Sequence, residues 1–96
     1  MTPKEEWVAS LLEFEQAHER TVFEVAAWRG LQSSRKTLSQ SMISHGMARN
    51  EAQGAFDGMM ADHTERFTTA LKEESTRWQS CLNLLRAYPD VLTSND

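Results

Sequence analysis

Residues 49–88 read RNEAQGAFDGMMADHTERFTTALKEESTRWQSCLNLLRAY, forty residues without a proline. Phe56, Met60, His63, Phe67, Ala70, Leu71, Trp78, Cys81, Leu82 and Leu85 recur at every third or fourth position, or at twice that spacing. On a helix of 3.6 residues per turn they share one side, so the stretch predicts a long amphipathic helix over about 49–88. Glu74 falls in the middle of that apolar stripe. A carboxylate withdrawn from water without a partner costs several kcal/mol or takes up a proton, so Glu74 needs a companion from another element.

Upstream, Ser44-His45-Gly46-Met47 is a strong stop, with Gly46 suited to the left-handed position that closes a helix and Met47 able to fold back on the last turn. Asn50 and Gln53 are candidates for a capping box at the start of the long helix. Pro89 ends it, because the residue before a proline avoids helical angles. Residues 89–96 then read as a polar tail.

The N-terminal arm opens with Thr2-Pro3-Lys4-Glu5, a helix start with Thr2 as cap, Pro3 in the first turn and Glu5 able to return the bond. Trp7, Leu11, Phe14, Val22 and Val25 form one stripe, with Trp28 at its edge. Val8, Leu12, Phe23 and Ala26 form a second, about 100° further round. Helix 1 is read as running from about 3 to 44, with a break near Gly30, where Ser33 or Ser34 would cap a short further helix, as the alternative.

Two long arms about a turn at 45–48 make an antiparallel helical hairpin, all-α and a single domain. Folding about Gly46 pairs residues whose numbers sum to about 93, which sets Phe14 near Trp78, Trp28 near His63 and Phe67, and His18 opposite Glu74. His18 and Glu74 are therefore the expected buried polar pair, a layer that fixes register. The second stripe of helix 1 stays wet in a lone hairpin, so the expected assembly is a homodimer closing into a four-helix bundle; a three-helix bundle is the alternative.

Composition narrows the function. The chain has 96 residues, 40% hydrophobic and 25% charged, with a net charge of −4. Its ten basic residues read as scattered among acids, which disfavours nucleic acid. No secretory signal and no 18-residue apolar run is apparent, so the expectation is a cytoplasmic protein with no membrane span. The one cysteine, Cys81, lies on the stripe as a small buried hydrophobe. Glu15-x-x-His18 is half of a di-iron motif, but the second copy is absent, so neither metal nor cofactor is expected. No catalytic residues are expected either, since no nucleophile motif or phosphate loop occurs.

Contact surfaces are the remaining candidates. Besides Val8, Leu12, Phe23 and Ala26, these are the methionines near the turn (Met42, Met47, Met59, Met60) and Gly54-x-x-x-Gly58 on the back of the long helix. They suggest a regulatory protein that binds and holds or inhibits a protein partner, as an anti-activator or a chaperone does. A self-assembling structural or secreted hairpin is the alternative. Trp28-Arg29-Gly30 resembles the tripeptide of the small secreted Trp-Xaa-Gly proteins of type VII secretion, which are acidic helical hairpins of about this length. That family sets its motif at the mid-chain turn, whereas the strongest turn here is at Gly46. Its C-terminal signal, a Tyr with an acid four residues on, is not matched, because Tyr88 is followed by Leu92.

Overall fold

A computed structural model describes residues 1–93. They form α1 (Pro3–Ser33), α2 (Arg35–Ser44), α3 (Arg49–Ala87) and a short 3-10 turn, Pro89–Leu92. No strand occurs among the described residues, so the chain is all-α there. The backbone divides into two compact units, one built from residues 1–21 and 69–96 and the other from 22–68.

In the first unit α1 lies antiparallel to α3, because partners on α3 fall in number as those on α1 rise: Glu13 with Arg77, Phe14 with Trp78, Arg20 with Glu73. The second unit repeats the relation in Trp28 with Thr64 and Arg35 with Asp57. These pairs sum to about 92, close to the register expected from a fold about Gly46.

The buried positions correct the expected stripe. In the first unit the seam follows Trp7, Ser10, Phe14, Ala17 and Thr21 on α1 and Ala70, Glu74, Arg77, Cys81 and Leu84 on α3. Steps of three and four alternate along both, a period of 3.5 rather than 3.6. On that period Leu71 and Trp78, expected inward, move to the rim and are exposed. The same drift exposes Val22 and buries Thr21 and Glu24. In the second unit Ala52 and Phe56 are the buried apolar residues, and Met60, His63 and Phe67 continue their line half-buried.

The ends of the elements have local causes. Thr2 caps α1 through a bond from the Glu5 amide to its Oγ1 (3.1 Å), with Pro3 in the first turn. The first arm is not continuous but two helices, as in the alternative: Ser34 stands at the cap position of the short second one, without a side-chain cap bond, and Gly30 does not end α1. Gly30 stays helical, but its carbonyl accepts from the Ser34 amide and from the hydroxyls of Ser33 and Ser34 (2.9–3.1 Å). The Ser34 amide is also shared with the Leu31 carbonyl, a tighter 3-10 bond. Hydroxyls bonding back to the preceding turn compete with the helix ladder and bend it.

α2 ends as expected. Gly46 has φ +100°, its amide donates to Ile43 and the Met47 amide reaches Met42, the paired bonds of a Schellman closure. α3 starts at Arg49, as its expected bounds have it, so Ala48 rather than Asn50 holds the cap position and the Ala52 amide bonds the Ala48 carbonyl. The tail also differs from expectation: Pro89–Leu92 is ordered as a 3-10 turn and buries Val91, because an apolar side chain is available to cover the end of the seam. Residues 94–96 lie outside the described residues.

Candidate functional site

His18 and Glu74 meet as the register requires: His18 Nδ1 and Glu74 Oε1 are hydrogen-bonded. Burial is one-sided. The Glu74 side chain is 18% exposed and that of His18 57%, so the pair sits at the lip of the seam with its carboxylate inward. Phe14 stacks on His18, with ring centroids 6.0 Å apart, and packs on Trp78 at 5.0 Å, which fixes the imidazole. The neighbouring Thr21 hydroxyl donates to the Ala17 carbonyl (3.1 Å). Beside the pair, Arg77 bridges Glu13 (3.1 Å) and Glu73 (4.0 Å), and Arg20 reaches Glu73 (3.6 Å). These charges are partly exposed, where such pairs add little stability.

One buried acid escaped sequence reasoning, and two expected stripe residues carry unpaired polar atoms. Glu24 is buried, and among the described residues its carboxylate makes no hydrogen bond or ion pair. The Nδ1 of His63 is buried without a partner, as is the indole N–H of Trp7. Extending the three-four alternation from Ala17 and Thr21 would have found Glu24.

Of the predicted contact residues, Val8, Leu12, Phe23 and Ala26 are exposed, Leu12 at 54% and Phe23 at 68%. In the first unit Val8 and Leu12 line one shallow hollow with Ala9, and Val8 borders another with Trp7, Leu11 and Leu92. Met42, Met47, Met59 and Met60 are all half-buried, so their side chains are shared between core and surface. Gly54 and Gly58 are exposed with open space where a Cβ would stand.

The basic residues are less scattered than the sequence first suggests. Between Val25 and Asn50 there is no Asp or Glu, yet Arg29, Arg35, Lys36 and Arg49 fall there. Three of them border a hollow of about 350 Å³ between α2 and the start of α3, with Phe56 and Ile43 also lining it. Counting acids by segment would have exposed this run; total charge conceals it.

Among the described residues no group of three or more His, Cys, Asp or Glu is placed to hold a metal ion. No described helix is long and apolar enough to cross a membrane. Trp28-Arg29-Gly30 lies within α1, several residues before its end, and the Trp28 indole donates to Thr64 (3.1 Å) instead of marking a turn. Compared with protein-family models, characterised proteins and solved structures, the chain matches none.

Proposed function

We propose that this chain is a cytoplasmic protein–protein interaction module that dimerises with a second copy into a four-helix bundle and binds a protein partner so as to hold or inhibit it. The observation that carries the reading is the set of apolar side chains that α1 leaves in water, chiefly Val8, Leu12, Val22 and Phe23. Full burial of a side chain of this kind is worth about 1.5–3 kcal/mol, and soluble chains seldom leave several on one helix without a use for them. Helix-to-groove packing is the contact such a surface suits.

Sedimentation equilibrium combined with an apolar-surface dye tests both halves. The expected result is a dimer that still binds dye, with Leu12→Glu and Phe23→Glu shifting the mass to that of one chain. A dimer with no residual dye binding leaves self-assembly as the only use of the surface and removes the partner. A monomer at every concentration, unaffected by either substitution, overturns the dimer.

A further inference from the structure

The groove beside α2 has a composition that the exposed face of α1 lacks. Its floor is apolar, from Phe56 and Ile43, and its rim carries Arg35, Lys36 and Arg49. Arg35 is held: its guanidinium lies 4.9 Å from the centre of the Phe56 ring and donates to Asp57 at 2.7 Å. Lys36 and Arg49 make no ion pair or hydrogen bond among the described residues. The first turn of α2 contains no acid, so Arg35 and Lys36 stand at the positive end of the helix dipole, where cations are disfavoured and an anion is favoured. The Arg35–Phe56 contact marks one end of the groove, and the antiparallel course of α3 brings Arg49 to the other, beside Ile43. Eight residues of helix separate Arg35 from Ile43, about 12 Å.

We infer that this groove takes an acidic amphipathic helix of a protein partner, with two carboxylates about two turns apart and one large apolar side chain between them. The spacing of the cations matches the acids, and the floor takes the apolar residue. A lone phosphate would engage one end and leave the floor uncovered. The inference rests on the reading of the chain as an interaction module but uses none of the α1 residues that carry the dimer.

The test uses the full chain, isotopically labelled, with an alanine-based helical peptide bearing two glutamates two turns apart and a leucine between them. A glutamine twin of the peptide and inorganic phosphate serve as separate arms. The expected result is amide shifts gathered on Lys36, Ser39, Ile43, Arg49 and Gln53, and affinity lowered about tenfold by Lys36→Glu or Arg49→Glu. Both positions are exposed, and circular dichroism checks that each variant stays helical. Absence of binding, shifts gathered elsewhere, or equal binding of the glutamine twin overturns the inference. Phosphate that reproduces the same shifts more tightly than the peptide also overturns it, assigning the groove to small anions. Leu12→Glu leaves the groove untouched, so failure of the dimer and failure of the groove register separately.

Discussion

Cys81 is fully enclosed, with 0% of its surface exposed, whereas His63 is half-buried with its Nδ1 sealed off and unpaired. A thiol so placed reacts only when the seam opens. The expected outcome is no modification of Cys81 by an aromatic disulfide reagent in native buffer and complete modification in concentrated urea. Fast native labelling would mean that the first unit opens readily. Replacing an unsatisfied buried group by an apolar one of similar size removes a desolvation cost, so His63→Leu is expected to stabilise by about 1 kcal/mol, roughly 5 °C in thermal midpoint. A fall in midpoint would show that Nδ1 is satisfied by water. The pairing of His18 with Glu74 was legible because one turn residue fixes the register of everything opposite it. Glu24 was not, since an acid between two apolar stripes reads as a solvated side chain unless the 3.5 period is known beforehand.

The helix ends were read with uneven success, for reasons specific to each. Gly46 is unambiguous because few residues tolerate φ of +100°. Gly46→Ala is expected to cost about 1 kcal/mol or more in urea denaturation, with both Schellman bonds weakened. The break in the first arm was harder. Gly30 is the conspicuous weak point in sequence, yet the break falls at Ser34, where the hydroxyls of Ser33 and Ser34 both bond back to Gly30, and the sequence does not say where a serine hydroxyl will donate. Replacing Ser33 and Ser34 together with alanine is expected to raise helix content by circular dichroism and stabilise by about 0.5 kcal/mol per site. An unchanged or lower helix content would place the cause of the bend elsewhere. The start of α3 at Arg49 was legible, but its cap was not, because Asn50 is a better cap than Ala48 by propensity alone.

Charge and apolar exposure follow different distributions. Residues 22–68 hold five basic and five acidic residues, so the net charge of −4 belongs entirely to residues 1–21 and 69–96. An average over the chain therefore hides the acid-free run that holds Arg29, Arg35, Lys36 and Arg49. Dimerisation has its own signature in mass action: the thermal midpoint is expected to rise with protein concentration, and Leu12→Glu is expected to abolish the dependence. A midpoint independent of concentration in the parent chain would count against the second copy. The all-helical architecture was legible from periodicity alone. The division into two units was not, because no proline or glycine stands at its boundaries, between 21 and 22 and between 68 and 69.

The alternation of three and four along the seam in residues 1–21 and 69–93 carries a rule about length. A single residue inserted within α3 would turn every later side chain by about 100° and drive Cys81 towards solvent. Seven residues removed from one helix of the seam would restore its facing side chains but leave the opposite helix longer by two turns. Only a seven-residue loss from each helix together preserves the pairing, so relatives of this chain should differ in size by matched heptads, and indels of any other size should collect in the 45–48 turn.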